Sequence, residues 1–146
     1  MDFKHKIPIQ IRFADIDRLN HVNNACYLSF FELGRVYYFN EILGNAINWN
    51  EKGFVLARTE INHLEPIFLT DEVYCYSKVT KIGTKSLTIN NQICKKNHLG
   101  DFIECANGLG ILVAMDYISQ QSIMIPELWK KRIEKFEGDL NLNTYH

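Results

Sequence analysis

Asp15, Asp17 and His21 lie within one short polar stretch, and Asn23 and Asn24 follow directly. Carboxylates and imidazoles are the side chains that move protons in catalysis. Asn is among the strongest helix N-caps, and the run after it has a helical pattern. The unpaired N–H groups of a first helical turn, together with the helix dipole, make a partly positive spot. Such a spot holds an anion, or a carbonyl oxygen that becomes one. A carboxylate beside it is half of an acyl-transfer apparatus. Taken alone, Asp17 reads first as a turn or capping residue. Asp15 reads as structural, because the two aspartates fall on opposite faces if the preceding strand continues. His21 can orient the loop, contact a substrate or assist proton transfer, and the loop role comes first. A metal site from Asp15, Asp17 and His21 lacks a fourth ligand.

The helix that must present this loop runs from Ala25 to Leu43. It is apolar nearly all round, with a thin polar stripe at Ser29, Glu32, Arg35 and Asn40, which predicts a buried core helix about 28 Å long. Gly34 is costly inside a helix, and its use would be close approach to a sheet. Gly44 can end the helix in a left-handed cap. Glu32 and Arg35, three apart, predict an ion pair, with a role in the pocket as the alternative. Trp49 reads as an apolar anchor in the following connection.

Around the helix the pattern has period two. Ile7, Ile9, Ile11 and Phe13 alternate with polar residues before the loop. Four more strand-like runs follow, at 53–64, 73–81, 86–95 and 103–117. They predict an antiparallel meander. Pro126 introduces a short helix over 127–136. The fold class is therefore α+β, an antiparallel sheet of about five strands wrapped around one long buried central helix. The whole chain reads as one domain, with a core over about 7–136 and a loose tail at 137–146.

The 146 residues carry a formal charge of −1 with both signs scattered, which excludes the basic stripe of a nucleic-acid binder. No apolar run approaches the roughly 20 residues of a membrane span. The N-terminus has no apolar signal core, so a cytoplasmic protein is expected. Cys26, Cys75, Cys94 and Cys105 show no C-x-x-C spacing and read as reduced thiols, mostly in the core.

The stretch FADIDRLNHVNNACYLSFFELGR resembles the signature of hotdog-fold acyl-CoA thioesterases of the 4-hydroxybenzoyl-CoA thioesterase type. The resemblance rests on Asp15, Asp17, His21, Val22, Asn23, Asn24, Tyr27, Leu28, Glu32 and Arg35. It continues through Pro66 with Asp71, Gly83 with Ser86, and Pro126. Asn20 stands where the family usually has Gly, and Asn is the best substitute at left-handed backbone angles.

The resemblance implies hydrolysis of an acyl-CoA, with a fatty acyl group favoured, to free acid and coenzyme A. It assigns Asp17 as general base or nucleophile, and the helix-start amide near Asn24 as oxyanion donor. It places His21, Asn23, Tyr27, Thr59, Glu60, Lys81 and Lys85 around the substrate. Thr59, Glu60 and Asn62 would act across a subunit boundary, and the two lysines would meet coenzyme A phosphates. It implies a homodimer or tetramer, no metal or redox cofactor, and a place in fatty acid metabolism. Two alternatives remain. One is a thioesterase acting on acyl carrier protein, for which a basic patch of Lys78, Lys81, Lys85 and Lys95 would serve. The other is a non-catalytic acyl-binding module of the same fold, in which Asp17 would have no use. A dehydratase fits less well, because it needs a different His and acid arrangement.

Overall fold

The computed structural model describes residues 1–138 and 140. Its elements are β1 (His5–Ile9), α1 (Cys26–Ile42), β2 (Lys52–His63), β3 (Glu72–Ile82), β4 (Ser86–Lys96), β5 (Phe102–Asp116), β6 (Gln121–Ser122) and α2 (Glu127–Glu137). The alternating β-branched and aromatic runs form the long strands. One antiparallel sheet results, ordered β1-β3-β4-β5-β2, with the short β6 paired to β5. Only β3, β4 and β5 form the expected meander. β1 already occupies the free edge of β3, so β2 pairs with β5 at the far edge. Ile11 and Phe13 do not extend β1. Residues Phe13–Asp15 make a single 3-10 turn instead, because Asp15 Oδ2 accepts the Arg12 N–H at 2.9 Å and turns the chain.

α1 lies across the inner face of this sheet. Gly34 permits the close approach that its position in the sequence implied. A Cβ there would stand 2.7 Å from Cys75 Sγ and 2.9 Å from Ser77 Oγ on β3. Gly44, at φ +49°, ends the helix region in the left-handed conformation. The helix is not buried all round, however. Tyr27, Phe30, Phe31, Gly34, Arg35, Tyr38, Phe39 and Ile42 make one buried stripe, whereas Leu28, Leu33, Val36 and Tyr37 are exposed. A single sheet layer covers one side of a helix, and among the described residues nothing covers Leu28, Leu33, Val36 and Tyr37 on the other.

The core has two halves along α1. One surrounds its start, with Val22, Tyr27, Phe31, Ile67, Cys75 and Cys105. The other surrounds its end, with Tyr38, Leu43, Val79, Leu87, Trp129 and Ile133. α2 closes this second half. The expectation of a loose tail from residue 137 fails where the structure describes it. Glu137 is buried, where its Oε2 accepts the Tyr38 hydroxyl at 2.7 Å and the Val79 N–H at 3.0 Å, and Leu140 is also in the core. The rest of that tail, 139 and 141–146, lies outside the described residues. The four cysteines are free thiols, three of them buried.

Candidate active site

The loop before α1 is held by backbone pairing at both ends. Ile16 and Val22 form an isolated bridge, the Asp17 N–H donates to His21 O at 3.0 Å, and the Asn20 N–H donates to Asp17 O at 3.0 Å. Asn20 has φ +66°, the left-handed angle its replacement of Gly implied. The Val22 N–H donates to Ile67 O at 2.8 Å, which ties the loop to the β2–β3 connection. The loop is thus a fixed platform.

Asp15 and Asp17 have separate duties. Asp15 is buried, and Arg12 grips it through its backbone N–H and its guanidinium, at 2.9 and 3.0 Å. Burial pushes the Asp15 carboxyl up, but the hydrogen bonds and charge of Arg12 outweigh this and hold it below its ordinary value. Its structural reading stands on this geometry. Asp17 is half-buried. Its Oδ1 accepts the Leu19 N–H at 2.9 Å, an Asx turn that fixes the carboxyl group. Among the described residues, the other oxygen has no partner.

The N-cap position of α1 is Ala25, and Asn23 braces it in an Asx turn, its Oδ1 accepting the Ala25 N–H at 3.0 Å. The Asn23 carbonyl accepts the Cys26 N–H at 2.9 Å. The Asn24 N–H, between them, has no acceptor among the described residues. A carboxylate with an open oxygen therefore sits in the same short loop as an open helix-start donor. His21 is half-buried, with Nδ1 3.3 Å from Val22 O, so it braces the loop.

Five more residues are expected around a substrate, and one chain does not gather them about Asp17. Tyr27 is only 2% exposed, packed edge-on against His63 with ring centroids 4.8 Å apart. Burial pushes its hydroxyl pKa up to about 12. It is a core residue, a role that its apolar neighbours in α1 signal. Thr59 pairs with Gly110 and Glu60 with Leu109. Successive strand residues face opposite ways, and Gly110 faces Arg35 of α1. Thr59 is thus on the helix side, while Glu60 and Asn62 face outward, where Glu60 pairs with Arg58 and Asn62 with Asn107. Lys81 and Lys85 flank the β3–β4 turn, at the α1 C-terminal end of the sheet. Within one chain they are remote from Asp17. Nor do the four lysines make one patch. Lys95 Nζ is tied to Pro66 O at 2.7 Å near the opposite end.

One feature escaped the sequence pattern. A cavity of about 380 Å³ opens beside α1, lined by Glu32, Arg35, Val36, Phe39, Asn40, Trp49, Phe54, Leu56 and Leu112. Trp49 anchors there as expected, against Phe39 and Phe54. The predicted Glu32–Arg35 ion pair is absent among the described residues. Arg35 instead turns inward, over the space left by Gly110. Among the described residues, no three His, Cys, Asp or Glu side chains gather as a metal site.

The sequence profile of the Thioesterase-like superfamily matches residues 11–133. The chain belongs to this superfamily. It is a thioester hydrolase with the hotdog fold. A thioesterase from Thermus thermophilus, solved in complex with coenzyme A and Zn, is 34% identical with a TM-score of 0.80, covering 94% of this chain and 96% of that one. A mutant 4-hydroxybenzoyl-CoA thioesterase, complexed with 4-hydroxybenzoyl-CoA, shares the fold at 12% identity and TM-score 0.80, covering 88% and 97% of the two chains. The uncharacterized protein YsmA of Bacillus subtilis is 25% identical over 119 residues, 79% of this chain and 75% of that protein. Among the described residues, no helix of this superfamily member is long and apolar enough to cross a membrane.

Proposed function

We propose that this thioesterase hydrolyses an acyl-CoA, with a fatty acyl group, to the free acid and coenzyme A. The observation that carries the proposal is the joint geometry of Asp17 and Asn24. The open oxygen of Asp17 either takes a proton from the attacking water or attacks the thioester carbon itself. The Asn24 N–H donates to the carbonyl oxygen as it gains negative charge, aided by the helix dipole. In the first route the C–S bond breaks as the tetrahedral adduct collapses, the thiolate gains the proton held by Asp17, and the oxygen of water ends in the acid. In the second the thiolate leaves as a mixed anhydride forms on Asp17, and a water then cleaves that anhydride to release the acid, restore the Asp17 carboxylate and supply the proton for the thiol. No metal or redox cofactor is needed, since coenzyme A arrives as part of the substrate.

The site is completed by a second copy in this reading. β2 is an edge strand of 12 residues, and unpaired edges invite pairing. Two β2 edges meeting antiparallel about a two-fold axis would bring the partner's β3–β4 turn to the Asp17 end. Lys81 and Lys85 would then reach a coenzyme A held by the first copy, with Thr59 at the join. The exposed Leu28, Val36 and Tyr37 of α1 support a homodimer of this kind, alone or within a tetramer.

The test is thiol release from a panel of acyl-CoAs, short to long and aromatic, with wild type and Asp17→Asn. An enzyme-only control subtracts the protein thiols. Hydrolysis of fatty acyl-CoAs, with a loss of at least about 100-fold in Asp17→Asn, is the expected outcome. Equal activity in both proteins would remove Asp17 from the chemistry. An inert wild type would end the acyl-CoA assignment.

A further inference from the structure

We propose that the cavity beside α1 is a binding site for an organic carboxylate on an apolar chain, held by Arg35. Arg35 is 8% exposed, lines the cavity, and has no hydrogen-bond or ion-pair partner among the described residues. Burial lowers its pKa, with the Glu32 charge opposing, yet a guanidinium stays protonated at any physiological pH. Its nitrogens meet water only through the cavity, and a cation so enclosed and without a protein partner is poorly solvated and favours an anion that enters. The partner that best satisfies a guanidinium is a carboxylate, through two parallel N–H···O bonds.

The walls set the rest of the ligand. Val36, Phe39, Trp49, Phe54, Leu56 and Leu112 offer apolar surface, and about 380 Å³ falls in the usual range of small-molecule pockets, roughly 300–1,000 Å³. Gly110 makes the space for the head group. A Cβ there would stand 3.1 Å from Leu56 Cδ1 and 3.6 Å from Arg35 Nη1. Glu32 is the one carboxylate in the lining. It is exposed at the mouth, where it disfavours a second negative charge outside the guanidinium's reach. The site is distinct within the chain from the Asp17–Asn24 loop. Arg35 lies 11 residues along α1 from Asn24, about 16 Å at the helical rise.

The carboxylate has two sources, a free acid or the far end of an acyl group. Calorimetric titration of the full chain with octanoate, and with 1-octanol as the uncharged control, tests the site without any turnover. Its failure is therefore separable from failure of the acyl-CoA reading. Octanoate is expected to bind wild type and to lose at least about tenfold affinity in Arg35→Gln, while 1-octanol changes less than about threefold. Asn40→Glu alters an exposed residue at the rim, leaves the fold intact, and is expected to weaken octanoate alone. A second arm compares octanoyl-CoA with suberyl-CoA. A fall in kcat/KM confined to suberyl-CoA in Arg35→Gln assigns the carboxylate to the far end of the acyl group. Octanoate binding without that fall assigns it to the free acid. The proposal is overturned if octanoate and suberyl-CoA are both indifferent to Arg35. That is also the result expected if a carboxylate from a second copy occupies the guanidinium.

Discussion

Replacing Gly34 with Ala tests how tightly the helix that carries the site is set on its sheet. Two effects oppose. Ala is the better helix former by about 1 kcal/mol. Against this, the new Cβ would stand 2.7 Å from Cys75 Sγ and 2.9 Å from Ser77 Oγ, where carbon contacts normally rest at about 3.5–4.0 Å. Neither neighbour can move freely. Both are fully buried, and Ser77 Oγ accepts the Asn91 side-chain amide at 2.9 Å. Overpacking of this kind costs about 1–3 kcal/mol, and a strained Asn91–Ser77 bond adds about 1 kcal/mol. The net expectation is destabilisation by about 1–3 kcal/mol, which lowers the thermal midpoint by about 3–10 °C for a chain of this size. Calorimetry on Gly34→Ala, Cys75→Ala and the double variant measures it. Removing the sulfur makes room for the methyl, so the double variant should be more stable than additivity allows, by about 0.5–2 kcal/mol. Strict additivity, or a midpoint that rises in Gly34→Ala alone, would refute the close-approach argument.

Three further outcomes follow from the geometry. Glu137→Leu leaves the Tyr38 hydroxyl and the Val79 N–H without their acceptor, so a loss of about 2–5 kcal/mol is expected in chemical denaturation. Asn23→Ala removes the acceptor of the Ala25 N–H at the helix entrance; losing that hydrogen bond should cost about 1 kcal/mol and lower kcat for whatever thioester the wild type accepts. His5 supplies a pH test. Burial lowers its pKa, against the raising effect of Glu41 at 3.0 Å and of Glu137. The unfolded chain therefore takes up a proton first, and stability falls as pH drops below about 6.5 towards the lowered folded value. In His5→Phe, the thermal midpoint should vary less with pH across that window.

Much of this is readable in the sequence because it rests on local chemistry. The period-two runs mark the four long strands β2 to β5 to within a residue, whereas β1 stops at Ile9, short of the Phe13 the pattern reaches, and Glu127 marks the start of α2. Gly34, Gly44 and Asn20 announce a close approach and two left-handed residues, and the structure has all three. The failures share a cause, since each depends on which elements become neighbours. A strand pattern does not say which edge it joins, so the pattern alone puts β2 in the meander. Lys81, Lys85 and Lys95 are close in sequence, yet the antiparallel register sends them to opposite ends of the sheet. Proximity groups Glu60 with Thr59, although alternation puts them on opposite faces. Arg35 reads first as the ion-pair partner of Glu32, and only Gly110, 75 positions later, reveals the space it turns into.

The division of the core has a consequence for synthesis. Every member of the half around the start of α1 falls between Ile7 and Ala106. The other half needs Trp129, Ile133 and Leu140. As the chain leaves the ribosome, N-terminal parts fold first, so the loop bearing Asp17 can settle while the far end of the sheet is still open. The apolar residues Leu43, Val79, Leu87 and Leu112 wait for the last helix to cover them. Until α2 and Leu140 emerge, that uncovered end is what a chaperone would meet, and a nascent chain arrested before residue 127 should be bound there while one whose Leu140 has left the ribosome is released.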